Sequence, residues 1–193
     1  MVLAPIAEYP EIQFSLKMRL GWENASECMV LVELLNAIRL SRIALHARTG
    51  KQQYKGHPDL EAFQGFYELC QHPLYYNGGI ESLSDIRQIL TRFPLLKGVF
   101  IGRGLLSSPL LAKEFKGNET FLPEQRMSIY FAFHEELFSA YSQVLQGETQ
   151  LLVKMKTLWE YFLPETDRKL LKRIKKSTRL QQYTESVKAI FTS

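Results

Sequence analysis

Apolar and polar residues follow one rhythm in the first half of this chain and another in the second, with the change near Leu110. In the first half, short apolar runs close on polar or glycine-rich residues: FSLKMRLGW, IALHARTGKQQYKG, YYNGGI and GVFIGRGLLSSP. Strands are predicted at Phe14–Arg19, Ile43–His46, Leu74–Tyr76 and Gly98–Ile101. Phe14–Arg19 has an alternating character, while the strands as a set are short and poorly amphipathic, the pattern of parallel strands covered on both faces. Asn24 or Ser26 is expected to cap a helix through CMVLVELLNAI, with Glu27 in its first turn. Pro58 suits the first turn of a helix through LEAFQGFYELC, and Ser82 or Ser84 should cap SDIRQILTRF.

Strand and helix thus alternate four times, with connections long enough for right-handed crossovers. The fold class this predicts is α/β: four βα units, half of a (β/α)8 TIM-type barrel. An open half would leave two strand edges and one apolar sheet face to be covered, a hazard for aggregation. Residues 1–13 read as the tail of a helix and a loop. After Leu110 the period becomes helical. Gly117–Thr120 is a linker and Pro123 opens a long helix. Its apolar stripe is Met127, Tyr130, Phe131, His134, Leu137, Phe138, Tyr141, Val144 and Leu145. Gly147 ends that helix. A second runs Leu151–Phe162 up to Leu163-Pro164, Thr166 or Asp167 caps a third through RKLLKRIKKS, and a fourth runs Leu180–Phe191. A small all-α bundle is expected, giving domains at 1–116 and 117–193.

Composition narrows the setting. No apolar run approaches the roughly 18 residues that span a bilayer, and the first residues lack the basic start of a signal peptide. Cys28 and Cys70 lie in helical stretches without metal-ligand spacing, which suits packing roles in a reducing compartment, the cytoplasm. The formal charge is +4, but residues 165–193 hold 8 Lys/Arg against 3 Asp/Glu, while residues 1–164 hold 16 against 17. The excess lies in the last helical segment, either as a solvated face or as a surface for a polyanion.

Active sites of such barrels gather at the C-terminal strand ends, with phosphate at the last two loops. Those loops here are Asn77-Gly78-Gly79 and Gly102-Arg103-Gly104. Both let backbone N–H groups approach a phosphate, and Arg103 adds a positive charge. The first two strands end in Lys17, Arg19, His46 and Arg48, cations that suit an electron-rich ring gaining negative charge on reduction. Taken singly, each has a plainer reading, as an ion-pair set or a core histidine. Four such strand ends in this order point to a flavin site.

Together KMRLG at 17–21, HARTGKQQYKG at 46–56, NGGI at 77–80 and GVFIGRGLLSSP at 98–109 resemble the tRNA-dihydrouridine synthases. The helical tail stands in that family's order, and HxRTxxQxY beside K-x-R-L-G is the specific part. The resemblance implies an FMN-binding barrel followed by a helical tRNA-recognition domain. It implies that Lys17 and His46 contact the flavin ring system, and that Asn77, Gly79, Gly102 and Arg103 hold the ribityl-phosphate end. Arg48 and Tyr54 would lie near the target uridine. Lys172, Arg173, Lys175 and Lys176 would meet tRNA, with NADPH reducing the flavin and uridine becoming 5,6-dihydrouridine. Two departures accompany it. Gly79 stands where the family usually has Asp, and the family's catalytic Cys, in an Asn-x-Gly-Cys-Pro loop of the first half-barrel, has no counterpart here. The expectation is a C-terminal portion that binds FMN weakly and reduces no tRNA by itself. The missing half-barrel or self-association would complete it. The rival is a non-enzymatic RNA-binding remnant of that family. A small-molecule flavoenzyme is a third reading, disfavoured by the basic helical tail.

Overall fold

The computed structural model describes residues 8, 9 and 11–192. Most of the helix tail expected over residues 1–13 lies outside the described residues. β1 (Ser15–Gly21), β2 (Arg42–Thr49), β3 (Leu74–Asn77) and β4 (Gly98–Phe100) form a parallel sheet in the order β1-β2-β3-β4. Neighbouring parallel strands need a crossover, and α1 (Glu27–Asn36), α2 (Leu60–Leu69) and α3 (Leu83–Arg92) supply it.

These helices cover one face of the sheet. Phe63 of α2 meets Tyr76 of β3 edge-on with ring centroids 4.9 Å apart, and Phe93 packs on Phe63 at 5.0 Å. Phe63 and Phe66 are fully buried, each contributing about 1.5–3 kcal/mol. β2 is buried on both faces, as its apolar run predicts, but β1 is not: Ser15 and Lys17 are exposed. β1 has a neighbour on one side only, so its alternation shows.

The caps differ from expectation at two helices. Ser26 makes no side-chain cap to α1. Instead the Glu27 carboxylate reaches back to the N–H groups of Trp22, Glu23 and Asn24 at 2.8, 2.9 and 2.7 Å. Those three bonds, Asn24 foremost, hold its pKa below the usual carboxylate value. At α2 the cap is Asp59, which accepts from Ala62 N at 2.9 Å, and Pro58 precedes it. α3 carries the expected Ser82 cap, as a reciprocal box with Asp85.

The chain divides into two compact units, residues 1–102 and 103–193. The second opens with two short helices that the sequence pattern did not reveal, α4 (Arg103–Ser107) and α5 (Leu111–Gly117). It continues through α6 (Pro123–Val144), α7 (Glu148–Leu158), α8 (Arg168–Lys176) and α9 (Leu180–Phe191). The division falls before the 117–120 linker because Leu110 belongs to the helical core and buried Glu114 pairs with Arg126 of α6. Pro123 is at the start of α6 as expected, and Asp167 caps α8, accepting from Lys169 N at 2.8 Å. α7 ends at Leu158, short of the predicted Phe162, and Val144 of the predicted stripe is exposed.

The helical core closes around Trp159, Tyr183, Phe162, Met155 and Ile174. Inside it Trp159 Nε1 donates to Tyr183 Oη at 2.9 Å, and Tyr183 Oη lies 2.7 Å from His134 Nε2. His134 Nδ1 lies 3.0 Å from Glu135 Oε1. The chain of groups is consistent with a neutral imidazole that accepts from Tyr183 and donates to Glu135. Burial lowers the His134 pKa and raises that of Tyr183. Among the described residues no helix is long and apolar enough to cross a membrane.

Candidate functional site

Parallel pairing sets the side chains of the strand ends in rows. Arg19 pairs with His46, His46 with Asn77, and Asn77 with Phe100. One step back along each strand lies the row Lys17, Ala44, Tyr75 and Gly98. Residues i and i+2 of a strand share a face. Both rows therefore project from the face opposite the one on which Tyr76 meets α2. Lys17, His46 and Asn77, far apart in sequence, are thereby brought onto one face.

Their surroundings differ. Lys17 is exposed, whereas His46 is buried with its ring 6.5 Å from that of Tyr54. Asn77 Nδ2 donates to Phe100 O at 2.8 Å, tying β3 to β4 and leaving Oδ1 available as an acceptor. Beneath this surface the Tyr76 hydroxyl is pushed up to about 12 by burial, with the Arg48 charge opposing the shift.

Arg48 is 3% exposed and faces its own loop. Its Nη1 donates to Lys55 O at 2.7 Å and its Nη2 to Gly56 O at 2.8 Å. Gln52 Nε2 adds bonds to Lys55 O and His57 O at 2.9 and 2.8 Å. The pair latches the loop that carries Tyr54, which is 60% exposed. Gln52 stands in the HxRTxxQxY motif, but the sequence pattern assigned it no role. Its signal was the Thr49-x-x-Gln52 spacing, which lets Thr49 Oγ1 accept from Gln52 N at 3.2 Å.

Gly79 has φ +61 and is exposed. A Cβ there would stand 2.9 Å from Pro58 Cγ, so both backbone and neighbour favour glycine. Nothing lies within 4 Å of a Cβ built on Gly102, so its backbone is open to approach. Arg103, next in the chain, is the first residue of α4.

Both cysteines lie away from these rows. Cys28 is buried in α1 with its Sγ donating to Ala25 O at 3.2 Å, and Cys70 ends α2 half-buried. Burial pushes both thiols up, which keeps them protonated and inert. Among the described residues no group of His, Cys, Asp or Glu is placed to hold a metal ion.

A second surface lies on the helical unit. Lys172, Arg173, Lys175 and Lys176 are all exposed on α8, as are Arg168 and Lys169. Among the described residues none of the six has a carboxylate within 4.0 Å. A cavity of about 430 Å³ opens between α8 and α9, lined by Lys169, Lys172, Arg173, Lys176, Gln182 and Glu185. Unneutralised charge beside a groove is a footprint for a polyanion.

Comparison with known proteins adds an independent line. The family model described as Dihydrouridine synthase (Dus) matches residues 4–192. A probable tRNA-dihydrouridine synthase of Rhizobium leguminosarum bv. phaseoli is 35% identical over 100 residues, covering 51% of this chain and 31% of that protein. The probable tRNA-dihydrouridine synthase of Aquifex aeolicus is 35% identical over 105 residues, 54% of this chain and 33% of its own. The tRNA-dihydrouridine(16) synthase of Escherichia coli is 28% identical over 110 residues, 56% of this chain and 35% of its own. The matched stretch spans about a third of the length of each of these relatives.

Proposed function

Because this chain belongs to the dihydrouridine synthase family, we propose that it forms the flavin-binding and tRNA-contacting part of a cytoplasmic tRNA-dihydrouridine synthase. In this reading the four βα units are half of a (β/α)8 barrel, and the remaining units come from outside this sequence. The single observation that carries it is the row Arg19, His46 and Asn77 with Lys17 one step back, on one sheet face at the strand ends.

The residues suit FMN. An exposed lysine and a buried histidine share the face, and the Gly102 backbone is open to approach. Bound FMN, reduced by NADPH, would supply the hydride that saturates the C5–C6 bond of uridine. Lys17 and His46 contact the ring system and stabilise negative charge on it. Asn77, Gly79, Gly102 and Arg103 hold the phosphate end through backbone N–H groups and one fixed charge. At Gly79 the family usually has Asp, and here a side chain would meet Pro58, whose Cγ lies 2.9 Å from a built Cβ. Tyr54 faces the uridine, and Arg48 positions it by latching the loop. Lys172, Arg173, Lys175 and Lys176 bind tRNA phosphates, which holds the tRNA while a base leaves its stack. No catalytic residue for proton transfer to C5 is assigned to this chain, since Cys28 and Cys70 face away from the rows.

That placement of the cysteines also favours a second reading, an RNA-binding protein that catalyses nothing. Two titrations separate them. FMN added at high micromolar concentration should bind the wild type weakly and His46→Ala at least tenfold more weakly, with tRNA binding unchanged. Lys172→Glu should weaken tRNA binding and leave FMN binding alone. FMN binding that ignores both Lys17→Ala and His46→Ala would overturn the flavin assignment and leave the RNA-binding reading standing.

A further inference from the structure

Trp22, at the end of β1, has no part in the roles above. It is 66% exposed, yet the fold holds it in place. Its six-membered ring lies over Gly50, where a Cβ would fall 2.3 Å from the indole Cε3. Two backbone bonds join the loops beneath it: Gly50 N donates to Gly21 O at 2.7 Å and Lys51 N to Trp22 O at 2.9 Å. Arg19 Nη1 braces the same corner through Thr49 O at 2.8 Å. Beside the indole is a cavity of about 500 Å³ lined by Arg19, Gly21, Trp22, Gly50 and Gln53. Lys51 and Glu23 form an ion pair nearby.

An apolar protein segment would need apolar walls around the ring. Here the side chains that line the cavity beside the indole are a guanidinium and a carboxamide, with the Lys51–Glu23 ion pair nearby. A fixed π-face flanked by hydrogen-bonding groups suits a nucleobase, which stacks on one and offers its edge to the others. The corner also adjoins the row of Arg19, His46 and Asn77 at the strand ends. We propose that Trp22, seated on Gly50, is a stacking platform for an unpaired base of the tRNA. This rests on the RNA-binding reading of the chain.

The two tryptophans make the test specific, because Trp159 is buried and Trp22 is exposed. An unmodified tRNA transcript titrated into the protein should quench Trp22 emission, and the quenching should vanish in Trp22→Phe. Trp22→Ala should bind the transcript about 5- to 140-fold more weakly, as expected for losing one stacked base. Its dependence on salt should not change, because stacking releases no counterions. Lys172→Glu should instead lower the salt slope by about one. Gly50→Ala, which displaces the ring while keeping it, should reproduce the loss seen in Trp22→Ala. Should tRNA bind and respond to Lys172→Glu while Trp22 emission and Trp22→Ala affinity stay at wild-type values, the platform is wrong and the RNA-binding reading survives. Absence of any tRNA binding would overturn both.

Discussion

In the sheet unit, Arg48 is buried and its guanidinium holds the carbonyls of Lys55 and Gly56. In the helical unit, His134 is buried too, but its partners are Tyr183, inside the core, and Glu135. The first arrangement shapes a loop at the strand ends and leaves Tyr54 and Lys17 facing outward. The second seals a core, and that unit's candidate binding groups lie outside it, on α8. Buried polarity therefore has two uses in one chain: in the sheet unit it shapes a loop beside the candidate site, and in the helical unit it makes the scaffold under a charged surface. Both follow from the cost of leaving a buried polar group unpaired.

The largest expected effect would test whether the units are independent. Trp159→Ala removes a fully enclosed ring from the helical core and should cost about 3–5 kcal/mol. Urea unfolding followed by helical circular dichroism would measure it. Amide exchange across β1 and β2 should stay protected; loss of protection there would show that the units unfold together. Next comes Arg48→Ala, which frees two loop carbonyls and should cost about 1.5–3 kcal/mol. Limited proteolysis should then cut between Thr49 and Pro58, and Arg48→Lys should not rescue the loop because it lacks the two-pronged fork. If the loop stays intact, the latch is Gln52 and not Arg48.

The smallest effect is acid sensitivity of the helical unit. Burial lowers the His134 pKa from its unfolded value, while Glu135 opposes the shift. A group depressed in the folded state stabilises fully above its unfolded pKa of about 6.5, and that contribution is lost as pH falls through the folded value. The melting temperature of the helical unit should therefore drop on acidification from pH 7 toward 5, and the slope should flatten in His134→Gln. An unchanged slope in that variant would assign the sensitivity to other groups.

Much of the architecture was legible in the sequence. The four strands lie within three residues of their predicted ends, and α9 matches its predicted span. The Ser82 cap, Pro123 at the start of α6 and the charge on α8 were also readable. The two short helices after Gly102 were not. Runs of five and seven residues are too brief to carry a period.

The chain by itself determined what depends on neighbours in sequence: element type, caps, the glycine turns, the charge of α8 and the motifs of the family. Tertiary structure decided what depends on distant partners. It set Lys17, His46 and Asn77 on one face through strand register, and joined His134 to Tyr183 across 49 positions. It also placed Trp22 on Gly50. Periodicity reports which face of an element is apolar, but not which distant polar group will complete a buried hydrogen bond. That choice is made only when the elements pack.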